Sequence, residues 1–305
     1  MNAPRSVIRN SGFTLIEVVV AIAITGIIAG MVAVFIRSPV EGYMDAQRRA
    51  ELTDVADTAV RRMGRDIRTA LPNSVRTPVA AGLCIEFMPT KIGARYRSEV
   101  EGATGNGNVL DFTAVDASFD MLWSNAALPA ASQIAAGDVV VVYNDGSASG
   151  DAYNGANAIQ VAAGGVVEPG GTASTTAITF VAAGASIPFN RKQLPSESPS
   201  GRFQVIPAGS HVVAYSCSGG QLLRTTRVMA AAWARPASCA AMVAGAAATA
   251  VLANNVATCS LVYDPPGVST GLSRFGIVSV SIGITEPTTG ETVNLYHQVH
   301  VDNTP

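Results

Sequence analysis

The 305-residue chain is short of charge: Lys, Arg, Asp and Glu make up 14% of it, against 48% hydrophobic residues. That scarcity excludes global disorder, because there is apolar surface enough for a sizeable core in one or two domains. A basic surplus is missing too. The formal charge is −2, which excludes nucleic acid as the main partner, since phosphates need neutralising cations. No CxxC pair occurs among the four cysteines, Cys84, Cys217, Cys239 and Cys259, so zinc-ribbon and thioredoxin-like sites lack their spacing. If most of the chain lies outside the cytoplasm, two disulfides are the natural expectation.

The most pronounced absence of charge is local. Residues 13–36, FTLIEVVVAIAITGIIAGMVAVFI, are 24 residues with one ionisable side chain, Glu17. As a helix they would reach roughly 36 Å, enough for a hydrocarbon layer of about 30 Å. Fourteen are Leu, Ile, Val or Phe. Together these favour insertion by about 4–8 kcal/mol, against roughly 3 kcal/mol for one acid, which here sits near an end. Insertion wins. Arg5 and Arg9 precede the span and favour a cytoplasmic start, although Arg37, Arg48 and Arg49 beyond it dilute that signal. A secretory signal peptide would have a shorter apolar stretch and an A-x-A-like site; this one runs on into FIRSPVEGY.

The junction Ser11-Gly12-Phe13-Thr14-Leu15-Ile16-Glu17 resembles the leader junction of type IV prepilins and type II secretion pseudopilins. The resemblance implies cleavage after Gly12 by prepilin peptidase and methylation of the new amino terminus at Phe13. It also implies that Glu17, the fifth mature residue, pairs with the amino terminus of a neighbouring subunit during assembly; an acid in hydrocarbon needs some such partner. Loss of Arg5 and Arg9 with the leader leaves 18 basic against 22 acidic residues. Gly26 and Gly30 form a GxxxG that allows close helix approach.

Pro39 is expected to kink or interrupt the helix, with helix resuming over 40–71 and ending at Pro72. Leu52, Val55, Ala56, Ala59, Val60, Met63, Ile67 and Leu71 form one apolar stripe at helical spacing. Arginines 48, 49, 61, 62, 65 and 68 alternate with acids on the other faces, and Asp57→Arg61 has i,i+4 spacing. Residues 63–70 resemble the RDLR-A segment of PilW-like minor pilins and J-type pseudopilins; the arginines are a candidate surface for an acidic partner or a plain solvated face.

Beyond Pro72 the hydrophobic period becomes two, with strands expected at 83–88, 109–113, 138–143, 177–181, 211–217, 221–227, 256–263, 274–285 and 292–301. The last two form a hairpin about the turn EPTTGE. Residues 252–256, Cys259, Tyr263-Asp264 and 297–303 resemble PilW-like minor pilins of mannose-sensitive haemagglutinin (MSHA) pili, the MshO-like group. Residues 91–200 are rich in Gly, Ala and Ser, lie outside both resemblances and read as loops and short strands decorating the head. The four cysteines allow three pairings; Cys239–Cys259 and Cys84–Cys217 are the expected ones.

Other motifs carry little weight. Residues 267–271 fit G-x-S-x-G but follow two prolines and precede a strand rather than a helix. His297 and His300, three apart on a strand, point to opposite faces and cannot share a metal. The glycines of 102–107 are in the wrong order for a dinucleotide loop. Asn144, Asp145 and Asp151 could hold calcium or simply form a turn.

The expected fold is α+β: leader 1–12, membrane helix 13–37, amphipathic continuation 38–72 and a β-rich head 73–305. The expected function is that of a minor pilin in an MSHA-type pilus, with J-type pseudopilin and tip adhesin as alternatives. Neither catalysis nor a cofactor is expected. The partners implied are prepilin peptidase, major and other minor pilins and the inner-membrane assembly platform. The implied location is the inner membrane with the head in the periplasm, and the pilus after assembly.

Overall fold

A computed structural model of the chain describes residues 12–77, 82–101, 107–168, 175–184, 187–230, 236–264 and 275–305. The chain is α+β and divides into two units, Met1–Glu51 and Leu52–Pro305. One helix, α1 (Leu15–Arg68), runs unbroken for 54 residues, about 80 Å at 1.5 Å per residue. The interruption expected at Pro39 does not occur. A proline removes one N–H bond at a cost of about 3 kcal/mol, but helix propagates cooperatively from the long runs on either side of the gap. The helix stops at Arg68, short of the expected Leu71. Thr69 and Ala70 tighten the last turn onto Asp66 and Ile67, and the Leu71 N–H goes instead to Met88 O at 2.8 Å.

The strands follow: β1 (Cys84–Phe87), β2 (Ile92–Arg95), β3 (Ser118–Met121), β4 (Val139–Val142), β5 (Ala158–Val167), β6 (Thr176–Phe180) and β7 (Arg202–Ile206). After them come β8 (Val212–Ser218), β9 (Gln221–Arg227), the short helix α2 (Cys239–Ala244), β10 (Ala248–Ala253), β11 (Val256–Asp264), β12 (Phe275–Thr285) and β13 (Thr292–Asp302). They pair antiparallel in three sheets, ordered β1-β8-β9-β10, β11-β12-β13 and β2-β7-β4-β5-β6-β3.

The first two sheets share one core with the end of α1. Ala56, Ala59, Val60, Met63 and Ile67 pack against Phe87, Val213 and Tyr215 of the first sheet and Val280, Ile282 and Val299 of the second. Burying side chains of this size contributes about 1.5–3 kcal/mol each. The helical stripe read from the sequence is therefore the core face, except for Val55, which is exposed. A polar anchor fixes its rotation: Asp66 accepts from Tyr215 Oη and from Arg224 Nε, both at 2.7 Å.

The third sheet gathers the short strands of the middle segment into one arrangement that the sequence reading did not foresee. Residues 91–200 supply five of its six strands, and the two end strands meet. Tyr96 bridges Met121, and Leu122 N–H donates to Arg95 O at 2.9 Å, closing a small barrel. Phe119 lies at its centre, 5.5 Å from Phe180 and 5.2 Å from Phe203 between ring centroids. The run Val139–Val142 has no alternation because both its faces are buried. Val140 and Val142 fill the barrel, whereas Val139 and Val141 pack outside it with Leu71, Met88 and Val212. The expected strand at 109–113 is instead a loop: Leu110 enters the barrel core, and the Asp111 carboxylate turns the chain by accepting the Thr113 N–H at 2.6 Å.

The cysteines form two disulfides with a different pairing from the one expected: Cys84–Cys239 and Cys217–Cys259, with Cα separations of 5.7 and 6.3 Å. Strand parity is the reason. Cys84 of β1 lies opposite Ser216 of β8, so Cys217, one residue on, faces the other side of the sheet. Cys84 thus reaches α2, and Cys217 reaches β11, joining the first sheet to the second. Each link stabilises the head by about 2–4 kcal/mol.

His211 is 3% exposed, its Nδ1 accepting from Met229 N–H at 3.0 Å and its ring edge-on to Phe189. Burial lowers its pKa from 6.5 to about 4, with Asp138 opposing. The unfolded chain therefore takes up a proton between pH 6.5 and 4 that the fold refuses. Stability should fall through that window as pH drops, by roughly 3 kcal/mol in all. Urea unfolding at several pH values should show this loss, and His211→Gln, which keeps an acceptor for Met229, should flatten it. An unchanged profile would remove His211 as the cause.

Candidate functional site

The junction expected to be processed is open on its C-terminal side, where the structure describes it. Gly12, Phe13 and Thr14 precede the helix in irregular conformation, and among the described residues no atom lies within 4 Å of the place a Cβ on Gly12 would take. Phe13 is 87% exposed. The leader residues 1–11, with Arg5 and Arg9, lie outside the described residues.

Helix α1 begins with a reciprocal cap. Glu17 Oε2 accepts from the Thr14 N–H and the Thr14 hydroxyl, both at 2.9 Å, while Thr14 Oγ1 accepts from the Glu17 N–H at 3.4 Å. This is the Thr-x-x-Glu capping box, which satisfies two of the donors a helix start leaves unpaired. The spacing was visible in the sequence, yet the resemblance pointed to Glu17 alone and left Thr14 without a role. Glu17 thus has a local partner within its own chain. Its second oxygen, Oε1, accepts no bond among the described residues.

From Leu15 to Gly42 every residue of α1 is exposed, and among the described residues nothing lies within 4 Å of a Cβ built on Gly26 or Gly30. This helix is long and apolar enough to cross a membrane.

The arginine-rich segment at the end of α1 splits by function. Asp66, its central acid, turns inward to Arg224 and Tyr215. Arg61, Arg65 and Arg68 turn outward, and Arg61 pairs with Asp57 at 2.6 Å as its spacing predicted. All four cysteines are consumed in disulfides.

The weaker motifs resolve structurally. His297 is half-buried against Gly64 of α1 and His300 is exposed, so the two lie apart as parity requires. Among the described residues no group of three or more His, Cys, Asp or Glu could hold a metal. Asn144 Oδ1 accepts from Ala152 N–H at 2.8 Å, while its amide donates to Pro72 O, pinning the chain after α1. Asp145 and Asp151 accept from Ser147 and Tyr153 N–H groups, each at 2.9 Å, and so build turns. Residues 102–106 and 267–271 lie outside the described residues.

The family described as Prokaryotic N-terminal methylation motif matches residues 8–33, which include Gly12, Phe13 and Glu17. Among curated proteins and solved structures, nothing matches the chain. The motif, the membrane-length helix and the β-rich head indicate a type IV pilin-like or pseudopilin-like protein, processed by prepilin peptidase and associated with the membrane.

The two duties of Glu17 can be separated. Glu17→Gln keeps an acceptor for the Thr14 N–H but no charge, whereas Thr14→Val removes the hydroxyl's two bonds in the box, at about 1 kcal/mol, and keeps the charge and the backbone bond from Thr14 N–H. If charge pairing drives assembly, Glu17→Gln should leave filaments about as badly as Glu17→Ala, and Thr14→Val should incorporate normally. Normal incorporation of Glu17→Gln, scored by immunoblot of sheared filaments, would reduce Glu17 to a helix cap.

Proposed function

We propose that the chain is a minor pilin that assembles into, or primes, a type IV pilus of the MSHA type and acts by assembly rather than catalysis. The observation that carries this reading is the uncovered apolar half of α1 directly behind a Gly-Phe junction. A surface of that kind is stable in lipid or among the helices of other subunits, and passage from one to the other is what assembly requires. The reading places the head in the periplasm before assembly, supported by two disulfides and by Arg5 and Arg9 ahead of the span. In the filament, Glu17 meets the amino terminus of a neighbour, using the carboxylate oxygen the capping box leaves over. The MSHA-type assignment rests on the C-terminal resemblance, whose Tyr263 and Asn303 lie in contact: Asn303 Nδ2 donates to Tyr263 Oη at 2.9 Å.

A tip adhesin is the second reading, favoured by the barrel, where exposed Trp123 and Leu122 border an apolar hollow of about 250 Å³.

Tagging the chain in its own cell and shearing the surface filaments tests the proposal. The tag is expected in the sheared fraction with an MSHA-type major pilin, and deletion of the gene should lower filament number. Recovery with secretion pseudopilins, with filaments unaffected, would move the chain to the type II machine. Normal filament number with attachment lost would favour the adhesin.

A further inference from the structure

The groove between the end of α1 and β13 has features that the assembly reading leaves unexplained. It encloses about 500 Å³, walled on one side by Arg61, Arg65 and Arg68 and on the other by Leu295, Tyr296 and His297. The arginines recur at four and three residues, so they form one row along the helix. Arg61 is held by Asp57, but neither Arg65 nor Arg68 has an acidic partner within 4 Å among the described residues. The acid nearest in sequence cannot neutralise them, because Asp66 is committed on the inner side. Two guanidiniums therefore face the opening uncompensated.

The opposite wall is a strand edge. β13 ends its sheet, and among the described residues only β12 pairs with it. Its eleven residues keep unbroken register with β12, from Thr292 opposite Thr285 to Asp302 opposite Phe275. Proteins usually blunt such an edge with lysine, proline or a bulge. The segment TVNLYHQVHVD contains neither lysine nor proline, its ladder has no bulge, and Tyr296 stands 62% exposed. A long regular edge of this kind is a template for another extended chain.

We infer that this groove binds an extended acidic peptide segment of a partner protein, which adds as a strand to β13 while its carboxylates pair with Arg65 and Arg68. Strand addition supplies affinity through backbone hydrogen bonds, and the guanidinium row selects for acid. A peptide fits better than nucleic acid because a phosphodiester backbone cannot pair with a strand edge, and the chain as a whole is acidic. The inference goes beyond the assembly reading and does not rest on it, since binding is measured on the isolated chain.

The test uses the full chain in detergent micelles with a fluorescein-labelled peptide of alternating Glu and Val. Saturable binding is expected, together with slowed amide exchange over residues 293–301. Arg65→Glu/Arg68→Glu should weaken it about tenfold or more, that is by at least about 1.4 kcal/mol. The milder Arg65→Gln/Arg68→Gln should weaken it in the same direction, whereas Arg62→Glu, outside the groove, should not. A peptide of alternating Lys and Val should not bind. Absence of binding, binding by both double variants as tight as by the unaltered chain, or exchange protection elsewhere than β13 would overturn the inference. So would tighter binding of oligothymidylate, which would reassign the groove to a nucleic acid.

Discussion

An apolar helix that the described residues of its own chain leave uncovered has to be covered by something else. Fourteen Leu, Ile, Val and Phe side chains between residues 13 and 36 stand open in the structure. Sequestering them from water is worth roughly 20–40 kcal/mol, more than the whole net stability of an ordinary domain. Lipid does this for a single subunit and neighbouring helices can do it in an assembly. The capping box at Thr14 and Glu17 matters in the same setting, since the free N–H groups of a helix start are costly where water is scarce.

The far end of α1 is bound by different forces. There the helix becomes part of the head, through a core shared with two sheets and through one acid fixed between a phenol and a guanidinium. Cys217–Cys259 ties the same two sheets together, and Cys84–Cys239 holds α2 to the edge of the first. Any force applied through the rod therefore reaches covalently linked sheets. The barrel joins this body through the outer face of β4 and Leu71, so it is a built part of the head rather than a decoration.

Legibility from the sequence followed the range of the interactions. The helical stripe from Ala56 to Ile67 and the hairpin of β12 and β13 were readable because their periods are local and long. The junction was readable because several unusual residues coincide there. The barrel was not: β2 and β3 are four residues each, and their closure joins positions about 25 residues apart in sequence. The disulfide pairing failed on parity, because a one-residue difference between Ser216 and Cys217 decides which face carries the sulfur. The interruption expected at Pro39 is absent because cooperative helix on both sides carries the chain past it. The roles of Asp66 and Arg65 look alike in sequence and part only when the helix is docked.

The account turns on processing at one peptide bond, so the decisive measurement is mass spectrometry of the amino terminus of the native chain extracted from membranes. It should begin at Phe13, carry one methyl group on its amine and lack residues 1–12. A chain still beginning at Met1, or one cut beyond residue 36 and recovered without its apolar helix, would contradict it.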